Sequence, residues 1–442
     1  MDILPATYIS ILIAFAVLTK IRFGTLIKGN VGFTAVWCGT AALASTGFYD
    51  LYKPVAIVHL YVFTVIIVFN VAYLLMNSLF RSNRLGNKLF GESRLGLIYI
   101  ANVLSWLFMI RFVSKTYTVL LSGGFRVLRD YAFDSSLGLG STVELVIAQT
   151  IIQPVFIATI LVALANLVVG RTNLILLMVS FIDVVMYVLL FAGRALLVTV
   201  LVYYLLLLVV WNYRTGFLLF LKRSVKIGTV LVIVVLLLLF SFITQERSWT
   251  QTSSFRETYL YLVGPFSLLS VYFENNYVIT QDSPYLYGKA MLGTLINPIL
   301  MSLTYLFSIP YTGSDYMVTR KTATPFAVSP NRKMNALTTM IYPLYRDLGY
   351  IGIILGTAFM ASVLSFSEIA FRSRRTLFRL CFYVLVLDIA LRSTMNYYLL
   401  FPRVGVTIFL LLLFIRPSRD GTPHRNSLGN SGNVVREIEN GR

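Results

Sequence analysis

"ILPATYISILIAFAVLT", residues 3–19, holds no charged side chain. Apolar runs of roughly 18 residues or more recur along almost the whole chain, each long enough to cross a bilayer as a helix. Only Met1 and Asp2 precede this first run. A cleavable signal peptide carries positive charge ahead of its apolar core, so the run reads as a retained first helix. Composition agrees: of 442 residues 57% are hydrophobic and only 12% charged, too apolar for a soluble protein of this length. A β-barrel would show shorter, alternating segments, and these do not alternate. The expectation is an all-α polytopic integral membrane protein.

The net charge of +19 raises the question of nucleic acid, and the positions of the charges argue against it. Lys20, Arg22 and Lys28 share one loop, and Arg81, Arg84, Lys88 and Arg94 another. Arg214, Lys222, Arg223 and Lys226 form a third cluster, and Arg372, Arg374 and Arg375 a fourth. Basic clusters beside helix ends mark cytoplasmic loops, which puts the N-terminus outside and the C-terminus inside. The two cysteines, Cys38 and Cys381, fall inside apolar runs and imply neither a disulfide framework nor a metal site. His59 and His424 are the only histidines, so zinc chemistry is not expected.

Expected spans are 3–19, 31–48, 54–78, 95–112, 145–168, 173–192, 195–211, 227–244, 348–370, 376–395 and 401–415. That makes about eleven crossings by hydropathy. The stretches 259–273 and 288–308 flank the acidic turn "ENNYVITQDSPYLYG", a poor cytoplasmic loop. They read as re-entrant or surface-lying, or as a pair that raises the count to about thirteen. Residues 1–415 are expected to form one transmembrane domain with outer loops at 113–144 and 245–347, and 416–442 a disordered cytoplasmic tail. Loops this long are usually functional. No internal repeat is visible, which weighs against an inverted-repeat transporter.

The outer regions carry arginines beside apolar helix ends. Arg126 and Arg129 lie three apart in "GGFRVLRDY", Arg194 sits in the tight turn "FAGRALL", and Arg256 and Glu257 open "FRETYLYLVGPF". A guanidinium stays charged and forks onto phosphate oxygens, although outer arginines also snorkel to the interface with no further role. Asp388 and Arg392, four apart in "LDIALRSTMNYY", are spaced to pair on one helix face, and Asp183 should face the bundle interior.

The stretch "NALTTMIYPLYRDLGYIGIILG", residues 335–356, places polar side chains at the doorstep of an apolar helix. Such groups are costly at a membrane and by default point to function. Asn335, Thr338 and Tyr342 are spaced for one helical face and Arg346 adds charge beside them. Asp347 reads either as the N-cap of the following helix or as a base. Gly349, Gly352 and Gly356 would let a neighbouring helix approach closely.

This stretch resembles the late motif of bacterial oligosaccharide repeat-unit polymerases, the O-antigen and capsule (Wzy-type) family. Asn335, Thr338, Tyr342, Asp347, Gly349 and Gly352 match it, with Leu348 in place of the usual aromatic residue. "FAGRALL" is similar to the family's mid-chain Gly-Arg turn, "FRETYLYLVGPFSLL" to the opening of its large outer loop, and "GGFRVLRDY" to its first outer loop. The likeness runs in order over roughly residues 113–400; paired arginine-rich repeats are not evident.

The resemblance implies a GT-C-like membrane glycosyltransferase of the cytoplasmic (inner) membrane, with its site facing the periplasm. It would transfer the growing glycan from undecaprenyl pyrophosphate to another lipid-linked repeat unit, without metal or cofactor. Arginines would stabilise the leaving pyrophosphate. Arg126, Arg129, Arg194, Arg256, Arg346 and Arg392, with Asn335, Thr338 and Tyr342, are the expected substrate-binding residues. A carboxylate would take the acceptor proton, in the order Asp347, Glu257, Asp130. Tyr272, Tyr277, Tyr285, Tyr287 and Tyr311 offer faces for sugar stacking. Expected partners are the lipid-linked donor and acceptor glycans, membrane lipids and a chain-length regulator protein, with no nucleic acid. The rival readings are an O-antigen-ligase-like transferase and a glycolipid flippase or transporter.

Overall fold

In the computed structural model the described residues are 3–80, 90–133, 141–191, 193–212, 254–280, 284–307, 311–335 and 337–416. Within them every expected apolar run is a helix. The first eight are α1 (Ile3–Phe23), α2 (Gly29–Thr46), α3 (Ala56–Leu79), α4 (Leu95–Phe133), α5 (Thr142–Ile147), α6 (Gln153–Val169), α7 (Leu174–Phe191) and α8 (Arg194–Asn212). The next three are α9 (Ser254–Glu274), α10 (Gly293–Phe307) and α11 (Ser314–Thr322). The chain then enters α12 (Ile341–Ser373), α13 (Leu377–Leu391) and α14 (Pro402–Phe414). The expected span 227–244 and the tail beyond residue 416 lie outside the described residues.

Local chemistry sets the helix ends. Gly47 and Gly170 close α2 and α6 in the left-handed conformation, at φ 67° and 85°. Ser141 and Glu144 form a capping box ahead of α5, and Pro402 occupies the first turn of α14, where a missing amide hydrogen costs nothing.

Among the described residues six helices are long and apolar enough to cross a membrane: Ile3–Phe23, Ala56–Leu79, Leu95–Gly124, Val143–Val169, Leu174–Phe191 and Ile341–Ser373. Their outward faces carry bare aliphatic side chains such as Ile13, Ile67, Leu104 and Ile182. Water does not favour such a surface and lipid does. The fold is all-α and of the multi-pass membrane class. Inside, α3 packs along α12, α1 along α2, and α6 against α7, α8 and α14. Phe33 stacks on Phe69, and Trp37 donates to Ser393 Oγ at 2.9 Å. Asp183 faces inward as expected, taking a hydrogen bond from Trp106 Nε1 at 2.8 Å.

The bundle has two poles. At one, β1 (Glu92–Ser93) pairs with β4 (Ile415–Arg416), and the Phe90 amide donates to the Arg375 carbonyl. Lys28, of the basic loop with Lys20 and Arg22, is buried at that end. Its ammonium lies 2.8 Å from Glu368, which also meets Arg372 at 2.6 Å and the Tyr73 hydroxyl. At the other pole, the described residues between 254 and 340 lie against the helix ends. Tyr259 donates to the Leu43 carbonyl and Ser270 Oγ accepts the Val55 amide, so both halves of α9 lie against the ends of α2 and α3 at one pole. The hairpin of β2 (Phe326–Ser329) and β3 (Arg332–Met334) packs on α9.

Two boundaries differ from the sequence reading. The stretch 113–133, expected to open an outer loop, continues α4, because nothing in it breaks a helix before Gly124 turns the backbone at φ 69°. The late helix starts at Ile341, seven residues early, and breaks at Leu348 and Gly349. Gly349 takes φ 61° and ψ −141°, open only to glycine, and turns 341–347 back against residues 350–356 of the same helix.

Candidate functional site

That fold-back explains the glycines of the late motif. A Cβ at Gly352 would strike the Leu344 carbonyl oxygen, and one at Gly356 the Leu344 side chain. Both glycines therefore admit the preceding turn of the same chain, where the sequence suggested a neighbouring helix.

The break also turns the end of residues 341–347 toward residues 284–291 and Met317. Asp347 is not the N-cap of the helix that continues beyond Gly349. Its carboxylate accepts the amides of Ala290 at 2.9 Å and Met291 at 2.6 Å, and its carbonyl takes the Tyr287 amide. Arg346 is fully buried and donates to the carbonyls of Met317 at 2.8 Å and Pro284 at 3.2 Å. Asn335 and Thr338 do not share a helical face with Tyr342, because both precede the start of α12 at Ile341. Asn335 donates to the Ala323 carbonyl, whereas Thr338 and Tyr342 are buried. Arg346 and Asp347 thus lie beneath the segments that carry Pro284, Ala290, Met291 and Met317 and hold them, while Asn335 stays exposed.

Those segments meet a second group of side chains at the same pole. Asn297, one turn into α10, donates to the Leu400 carbonyl at 2.9 Å and accepts from Tyr311 at 2.7 Å. Past Leu400 the chain enters α14, whose Arg403 lies 5.8 Å from the Tyr398 ring and 4.7 Å from that of Phe401. Arg392, at the end of α13, reaches the same Tyr398 ring at 4.8 Å. Two guanidinium groups therefore share one aromatic ring. Arg392 pairs with the buried Asp388, as its spacing suggested, and donates to Thr199 Oγ1 at 3.1 Å. Among the described residues Arg403 finds only Gln153 Oε1 as a hydrogen-bond acceptor, at 3.4 Å.

The other expected residues fall apart into groups. Arg194 begins α8, the helix that brings Thr199 to Arg392, and its side chain lies outside the described residues. The side chains of Arg126, Arg129 and Asp130 are likewise outside them, on the helix beyond Gly124. Glu257 meets Arg332 at 2.5 Å, and the Arg256 guanidinium lies 5.5 Å from the Tyr49 ring. Tyr272 is buried against Phe326 and Tyr342, while Tyr285 and Tyr287 sit 6.3 Å apart with Tyr287 exposed. Tyr277 packs on Phe326.

No family model, curated protein or solved structure matches this chain. Its chemistry rests on the side chains themselves. Two of them escaped the sequence reading. Arg403, in "LLFPRVG", looks like an ordinary charge at a helix start, and Asp315, in "YTGSDYM", like a helix-initiating acid. Asp315 is half-buried, with Asn297 Nδ2 3.4 Å from its Oδ1. Burial pushes its carboxyl above the usual carboxylate range, against backbone hydrogen bonds at 315 and 316 and the charge of Arg403.

Proposed function

We propose that this chain is an integral-membrane glycosyltransferase that polymerises lipid-linked oligosaccharide repeat units. Its donor is a glycan on undecaprenyl pyrophosphate, its acceptor another lipid-linked repeat unit, and its working face the outer side of the cytoplasmic membrane. The observation that carries the reading is the pair Arg392 and Arg403 sharing the Tyr398 ring, at the pole where the described residues between 254 and 340 lie. A leaving pyrophosphate gathers negative charge as its bond to the sugar breaks, and preorganised guanidinium groups stabilise that charge. Arg392 is fixed by Asp388 and Thr199, whereas among the described residues Arg403 meets one acceptor, leaving its other donors for phosphate oxygens. Tyr398 adds a flat face on which a sugar can stack.

Purified protein in lipid nanodiscs, given a pyrophosphate-linked repeat unit, is expected to make a ladder of longer glycans. Arg403→Lys keeps the charge but loses the planar fork, and is expected to be strongly impaired. No lengthening by the unaltered protein overturns the reading. Transfer only to a lipid-core acceptor replaces it with a ligase.

A further inference from the structure

We infer that Asp315 is the general base of this site, the group that takes the proton of the acceptor hydroxyl. The inference rests on the polymerase reading.

Geometry singles out Asp315 from the carboxylates favoured by sequence. Asp347 has both oxygens on backbone amides, Glu257 is paired with Arg332, and Asp388 with Arg392. Each is committed to a structural partner. Among the described residues Asp315 has no ion pair; its carboxylate takes only the amides of its own turn, at 315 and 316, and Asn297 Nδ2 at 3.4 Å, with no tie to a distant segment as short as those of Asp347. The same Asn297 nitrogen donates to the Leu400 carbonyl, three residues before Arg403, which places the carboxylate beside the start of α14. The groups that face it are Arg403 from α14 and Tyr311 from the chain ahead of α11.

The carboxylate is also held in place. Ser314 Oγ donates to the Lys289 carbonyl at 2.8 Å, next to the amides gripped by Asp347, and Arg346 grips the Met317 carbonyl. Asp315 therefore stands between two anchored neighbours. A Cβ at Gly313 would strike its Oδ1, so the glycine keeps the space that the carboxylate fills. Partial burial raises its proton affinity toward the working pH, which suits a base.

In the step, the acceptor O–H bond breaks with its proton passing to Asp315, and the oxygen forms a bond to the anomeric carbon. The bond from that carbon to the pyrophosphate oxygen breaks, and the lipid pyrophosphate leaves with the electron pair toward Arg392 and Arg403. One displacement inverts the anomeric configuration.

The test compares unaltered protein, Asp315→Asn and Asp315→Glu as full chains in nanodiscs with the lipid-linked repeat unit. Asp315→Asn is expected to lower kcat by about 10²–10⁴-fold with KM within a few-fold and Tm unchanged. In the unaltered protein the rate should fall as pH drops, with its acidic limb above the usual carboxylate range, and Asp315→Glu should move that limb. A wild-type kcat in Asp315→Asn, or an identical acidic limb in Asp315→Glu, overturns the assignment, and so does a retained anomeric configuration. If the unaltered protein makes no longer glycan, the polymerase reading itself falls. If it does and Asp315→Asn keeps pace, only the base is wrong.

Discussion

Asp347 accepts the backbone amides of Ala290 and Met291 through its two carboxylate oxygens. An ordinary cap in its own helix would have tolerated asparagine at little cost. Here asparagine offers one oxygen and turns an NH2 group toward the second amide. Asp347→Asn is expected to cost about 1–3 kcal/mol by leaving a buried donor unsatisfied. Thermal unfolding in detergent, with limited proteolysis between residues 284 and 340, should show a lower Tm and faster cleavage. An unchanged Tm and cleavage rate would return Asp347 to the list of candidate bases.

The placement of helices was legible because an apolar run in lipid must satisfy its own backbone, leaving few alternatives. The expected ends of α3, 54 and 78, fall within two residues of Ala56 and Leu79. The turn at Gly349 was not legible, since a glycine in a helical run reads as a packing contact until its φ is known. The partners of Asp347 lie 57 and 56 residues away, and the Leu400 partner of Asn297 lies 103 away. No local period encodes such pairs. Sequence patterns single out arginines beside helix ends, Arg392 among them, but the meeting of Arg403 with Arg392 depends on how the chain between α13 and α14 turns at Tyr398.

Gly349 and Gly352 should resist substitution for different reasons. Gly349→Ala forces a side chain into a positive-φ conformation, a strain of about 1–3 kcal/mol. Gly352→Ala must move the Leu344 carbonyl, which is backbone and cannot swing aside. Gly39, mid-way along α2 with open space around it, is the control. Gly39→Ala is expected to be neutral or to stabilise by about 0.4–1 kcal/mol. Equal Tm values for all three would show that residues 341–347 do not fold back as described.

Asp388 and Arg392 combine a structural bond with a proposed functional one, and the two separate by mutation. Arg392→Ala strands a buried carboxylate and should cost about 3–5 kcal/mol. The double variant Asp388→Leu with Arg392→Met removes both charges and should recover most of the lost Tm. Glycan lengthening should stay absent in both. A double variant that is stable and fully active would reduce the pair to structure alone.

The buried group around Glu368 makes a ranking testable. Lys28→Met leaves Glu368 with Arg372 and Tyr73, so a charge partner survives. Glu368→Leu leaves Lys28 buried without its counter-charge, a loss of about 3–5 kcal/mol. The drop in Tm should be larger for Glu368→Leu. The reverse order would mean that Lys28 finds water or another acceptor at that pole.

Orientation is open to a direct test, because Cys38 and Cys381 are both buried and give little background. Tyr287 is 74% exposed at the pole of Arg392 and Arg403, and Lys20 is exposed at the end of α1 near the opposite pole. In intact spheroplasts an impermeant maleimide should label Tyr287→Cys and spare Lys20→Cys until the membrane is opened. The basic loops 20–28 and 372–375 meet at the Lys20 end through Lys28, Glu368 and Arg372, and such loops stay in the cytoplasm. Labelling of Lys20→Cys in intact cells with Tyr287→Cys protected would turn Arg392, Arg403 and Asp315 toward the cytoplasm. A polymerase that meets its lipid-linked substrate outside could not work from there, and the proposed function would fall with the orientation.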